Sequence, residues 1–107
     1  MTGSDDPAPE ASEAIRFRRE MSITLKEFLR SLPPAVAPTP YTVSGRTITI
    51  DDGDRSVRIE LSPERERRLG LLRLPVTEVA FTFRGYDRTE FERFMQRFDR
   101  AFQRGGG

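Results

Sequence analysis

Apolar positions recur along this chain with two different spacings, and each change of spacing marks a new element. Ile15 and Phe17 alternate with Arg16 and Arg18, the pattern of a strand with one buried face, which runs on to Met21 although Arg19 interrupts it. Thr24-Leu25-Lys26-Glu27 has the form of a capping box, the Thr hydroxyl accepting an orphan amide and Glu27 reaching back. Leu25, Phe28, Leu29 and Leu32 follow at i, i+3, i+4 and i+7, so a short amphipathic helix is expected there. Pro33-Pro34 ends it, because neither residue donates an amide and Pro34 pushes Pro33 out of the α region. Residues 35–40 then read as a Pro-rich connection.

Alternation returns in Tyr41–Ser44, Thr47–Asp51 and Ser56–Leu61. Gly45 and Gly53 punctuate these three strands as hairpin turns, where glycine supplies the positive φ. The inward positions are Tyr41, Val43, Ile48, Ile50, Val57, Ile59 and Leu61. Ser62-Pro63-Glu64 has the form of a one-turn helix start, with Ser as cap and Pro at the first position. Beyond it, residues 62–76 carry no period that decides between turn, strand and loop. Thr77–Arg84 alternates again and buries Val79, Phe81 and Phe83.

Asp87-Arg88-Thr89-Glu90 opens the last and clearest element. Phe91, Phe94, Met95, Phe98, Ala101 and Phe102 fall within an arc of roughly 120° at ~100° per residue, the width of a core-facing helix. The order β-α-β-β-β-β-α predicts an α+β domain over residues 13–104, in two layers: an antiparallel sheet of about five strands with two helices on one face. In element order alone this resembles the β-α-β4-α unit of the TATA-binding-protein-like fold and, more loosely, small helix-grip domains in which a long final helix lies across a curved sheet. No motif accompanies the resemblance, and fold likeness by itself carries no function.

Composition sharpens the picture by exclusion. The chain has no Cys, His or Trp, so a disulfide framework, thiolate or imidazole metal sites, and every His- or Cys-dependent catalytic arrangement are ruled out. No cofactor or metal is expected. The hydrophobic share is 36%, low for a globular domain, but eight Phe residues compensate because each ring buries ~150–250 Å². Residues 1–12 combine Pro, Ser, Gly and Asp with little to bury and read as a disordered tail, and Gly105–Gly107 read as a flexible end. Nothing in the sequence has the form of a leader or a membrane span, so a cytoplasmic protein without membrane contact is the expectation.

Bases and acids nearly balance, 18 against 17, but the acids Asp5, Asp6, Glu10 and Glu13 precede the first base and leave the rest mildly basic. All the bases except Lys26 are Arg, which codon bias explains more simply than selection for anion contacts. Arg93, Arg97, Arg100 and Arg104 form a stripe at i, i+4, i+7 and i+11 opposite the Phe face, extended by Arg84 or Arg88, that suits phosphates of nucleic acid or another polyanion. Glu90, Glu92 and Asp99 lie beside it, and a solvated face satisfying the helix dipole accounts for the same pattern.

Leu69, Leu71, Leu72 and Leu74 mark a partner-binding edge if exposed. Closure of one end of the core is the simpler account, since so small a domain can hardly leave four leucines in water. Asp51-Asp52-Gly53-Asp54 lacks the spacing of a calcium loop and reads as a solvated turn. The outer strand positions, among them Arg16, Arg58, Glu60 and Thr82, read as polar pairs on water. The functional expectation is a non-catalytic module binding another protein or itself as a homodimer. Polyanion binding by the arginine stripe, and a small-ligand pocket between sheet and last helix, are the alternatives.

Overall fold

The computed structural model describes residues 14–104; the tail expected at 1–12 and the glycine end at 105–107 lie outside them. The elements are β1 (Ile15–Met21), α1 (Leu25–Ser31), α2 (Pro33–Val36), β2 (Tyr41–Ser44), β3 (Thr47–Asp52), β4 (Arg55–Leu61), β5 (Arg65–Leu69), β6 (Leu72–Arg84) and α3 (Arg88–Arg104). All strand pairs are antiparallel, in the order β1-β6-β4-β3-β2, with β5 paired to the first part of β6. The expected α+β, two-layer class is the one observed, with a sixth strand and a third, one-turn helix added.

Helix α3 docks its phenylalanine ridge on the inward face of the sheet. Phe98 is fully buried, with its ring 5.2 Å from Phe81 of β6, 5.9 Å from Phe28 of α1 and 4.2 Å from Phe102. Phe83 receives Phe91 and Phe94 edge-on at 4.9 and 5.2 Å, the geometry that ring quadrupoles favour. Ile48, Ile50, Val57, Ile59 and Val79 complete the floor. Reciprocal bonds start the helix: Asp87 Oδ1 accepts from the Glu90 amide at 2.8 Å and Glu90 Oε1 from the Asp87 amide at 2.9 Å. Thr24 and Glu27 form the same box at the start of α1, as the sequence predicts.

Four expectations are corrected. Pro33-Pro34 ends α1 but begins α2, because a proline in the first turn lacks only an amide that has no intrahelical acceptor. Leu32 keeps αR geometry before Pro33, and the Ala35 and Ala37 amides close the turn onto Leu32 and Pro33 at 2.8 Å. Arg19 does not interrupt β1. It takes an inward place in an unbroken alternation, half-buried beside Phe17 and Phe98. Val43 faces the same side as Ile48, its register partner, yet is 44% exposed, because β2 is the edge strand and the helices do not reach over it; Tyr41 is half-buried.

The fourth correction concerns residues 62–76. Ser62-Pro63-Glu64 forms no helical turn but links β4 to β5, and β6 begins at Leu72 instead of Thr77. Leu61 pairs with Val79 and Arg65 with Val76, so three residues of one strand oppose two of the other. Strands β4 and β5 are thus one long strand with a one-residue bulge at Ser62–Glu64. The Ser62 amide donates to Glu78 O at 2.9 Å and its Oγ accepts from the Glu78 amide at 2.9 Å, which keeps β6 satisfied through the bulge. Glu78 therefore faces β4, and by alternation Pro75 faces the opposite flank, where its carbonyl accepts from Ser22 Oγ at 3.0 Å. Thr77, fully buried, donates to Ile23 O at 2.7 Å.

Candidate functional site

Beyond the bulge the β5–β6 ribbon outruns the helices, and its tip is apolar. Leu69 is 54%, Leu71 102% and Leu72 62% exposed, around Gly70 with φ 62°. Closure of the core by these leucines, the simpler account from sequence, is overturned: the bulged strand carries them past the last helical cover. Leu74 is half-buried and shares a cleft with Val76, Glu20 and Arg67. Behind the tip Arg68 and Arg73 stand directly opposite each other, with a Glu66 carboxylate oxygen 3.9 Å from Arg68 Nε.

The base of the ribbon is tied down from the other flank of β6. Glu20 of β1 accepts from Arg67 at 2.9 Å and from Arg65 at 3.0 Å. These bonds, Arg67's first, hold the Glu20 carboxyl below its ordinary pKa. Both guanidinium groups reach across β6, and Val76 beneath is buried.

A second region lies where α2, α3 and the β3–β4 turn meet, a groove of about 290 Å³. Val36, Ile50 and Phe94 give it an apolar lining, and Arg93 and Arg97 add two cations from α3. Arg97 donates to the carbonyl of Ala37. Arg55 Nη2 lies 2.5 Å from Asp52 and Nη1 3.1 Å from Glu90, and the guanidinium stands 4.7 Å over the Tyr86 ring. The bond that Arg55 donates to Asp52 is the main cause of a raised Arg55 pKa, while burial pushes the Tyr86 phenol up. Gly85, at φ 80°, allows this crossing: a Cβ there would sit 2.7 Å from Asp54 O.

The arginine stripe is divided by these surroundings. Arg93 and Arg97 line the groove, while Arg97 and Arg100 flank a second hollow beside Pro34. Arg104 ends α3. Arg84 does not extend the stripe, because it lies with Arg16 and Arg58 on the outer face of the sheet, and Arg88 covers Phe91. Of the three acids beside the stripe, Glu90 is drawn to Arg55 and Asp99 to Arg19 at 2.6 Å, while Glu92 is exposed on α3. Of the acidic turn, Asp52 serves Arg55. On the outer face Arg18 pairs with Glu78 at 3.7 Å.

Sequence reasoning missed Arg55, Tyr86 and Glu90 as a group. Only Asp52 and Arg55, three apart across a turn, leave a local signal; the other two join them through the fold. Among the described residues no group of three or more His, Cys, Asp or Glu is placed to hold a metal ion, and no helix is long and apolar enough to cross a membrane. Comparison with known protein families, with curated proteins and with solved structures finds no match to the chain.

Proposed function

We propose that this chain is a non-catalytic binding module whose β5–β6 ribbon inserts its leucine tip into an apolar, acid-rimmed groove of another protein. The exposure of Leu69, Leu71 and Leu72 at the end of a ribbon that the core does not need is the observation that supports this most. Burying each of these side chains is worth ~1.5–3 kcal/mol at most, enough to anchor a contact. An acid rim suits the charge there: Arg68 and Arg73 face each other immediately behind the tip, and Glu66 offsets only one of the two. A second copy of the chain is the poorer occupant, because three leucines cover far less than the ~800 Å² per partner of a standard interface. A groove enclosing the tip uses every side of it.

The test compares the full chain with its Leu71→Asp/Leu72→Asp variant as bait in native lysate, followed by direct binding of the captured protein in purified form. The reading expects a partner lost with the double substitution and weakened by Arg68→Glu/Arg73→Glu at low salt. A partner retained by both variants would overturn it. So would light scattering that gave a dimer dissolved by the leucine substitutions, since the occupant would then be a second copy.

A further inference from the structure

Apart from the ribbon, we infer that the groove between α2, α3 and the β3–β4 turn is a binding site for a small monocarboxylate with an aromatic or branched apolar body. Three features converge on that ligand class. The first is charge. Arg55, Arg93 and Arg97 against Asp52 and Glu90 leave one positive charge in excess, which a single carboxylate balances and a phosphate dianion exceeds. Asp52 and Glu90 are both within 3.1 Å of Arg55, so Arg93 and Arg97 are the cations left for a ligand. They stand one helical turn apart and repel each other in its absence.

The second feature is preparation. Arg97 is held by the Ala37 carbonyl, which restricts a long side chain before any ligand arrives and lowers the ordering cost of binding. A guanidinium retains further donors for a carboxylate after giving one to a carbonyl. The third is the floor. Phe94, half-buried, presents carbon beside the charges with the buried Val36 and Ile50 behind it, so an acid with an apolar body gains contacts that acetate or a bare inorganic anion cannot. The open groove, about 290 Å³, has room for a one-ring acid. A polyanion fits less well, because Arg84 lies on the other face of the sheet and Arg97, the arginine common to both hollows, already gives a donor to Ala37 O.

The experiment is an NMR titration of the full chain with phenylacetate, acetate, phenyl phosphate and a single-stranded oligonucleotide, following backbone amides and arginine Nε–H signals. Saturable shifts at Arg93, Arg97, Val36 and Phe94 are expected with phenylacetate, bound at least about tenfold more tightly than acetate. Arg93→Gln and Arg97→Gln should each weaken phenylacetate about tenfold while leaving the remaining spectrum in place. The inference is overturned by absence of saturation with phenylacetate, by acetate binding equally well, by phenyl phosphate or the oligonucleotide binding more tightly at the same residues, or by indifference to both substitutions.

Discussion

Arg19 of β1 and Asp99 of α3 meet with Nη1 2.6 Å from Oδ1, across 80 positions of sequence. The arginine is the more buried partner, 29% exposed against 42%, and its guanidinium lies 5.1 Å from the Phe17 ring centroid. Removing only the acid therefore strands a cation on an apolar surface. Asp99→Ala is expected to cost about 1 kcal/mol in urea unfolding, whereas Arg19→Met, which keeps the long stem, should be nearly neutral. Equal losses would mean that the ion pair itself, and not the burial of Arg19, sets the balance.

Phe98 touches α1, β6 and the next turn of its own helix at once, so no neighbour can close the space it leaves. Phe98→Ala should lose about 3–5 kcal/mol, a large part of a small domain's stability, and the variant should show reduced or absent cooperative unfolding by circular dichroism.

Thr77 resembles Val in shape, yet its hydroxyl is the donor to Ile23 O inside the core. Thr77→Val should cost about 1–2 kcal/mol by denaturant titration, since the carbonyl loses its partner without gaining water. Thr77→Ser keeps the donor and should lose only the methyl contacts.

Gly85 and Gly70 share positive φ, but only Gly85 has backbone against its missing side chain. Gly70→Ala should cost about 1 kcal/mol for the left-handed conformation, and Gly85→Ala clearly more, because Asp54 O must also move. Melting temperatures of the two variants check the order.

Glu20 governs how the ribbon responds to acid. Its folded pKa is depressed, so the stability it contributes is present above the unfolded value, ~4.3, and lost as pH falls through the folded one. Amides of β5 should therefore lose hydrogen-exchange protection below about pH 4 earlier than those of β3 and β4. In Glu20→Gln the β5 amides should be less protected at neutral pH and lack this acid step.

Local chemistry made some of this architecture legible. Thr24 with Glu27, and Asp87 with Glu90, cap their helices by contacts three residues apart, and the ridge from Phe91 to Phe102 needs only helical periodicity. Arg19 was opaque because its inward place depends on Asp99 and two phenylalanine rings that the fold brings to it. Arg65–Arg68 show no alternation, since both faces of that stretch meet water or charge, and a single bulge shifts the register. The stripe from Arg93 to Arg104 was plain as a spacing. Its charge balance was not, because Glu90 and Asp99 answer to arginines on β4 and β1.

Pro75 decides how the ribbon can meet a neighbour. On its flank of β6, past the end of β1, one rung lacks a donor; on the far side Arg65-Glu66-Arg67-Arg68 present a charged border. A foreign strand seeking to lengthen the sheet finds poor footing along either margin. The projection can thus reach outward head-first without becoming a template for open-ended stacking.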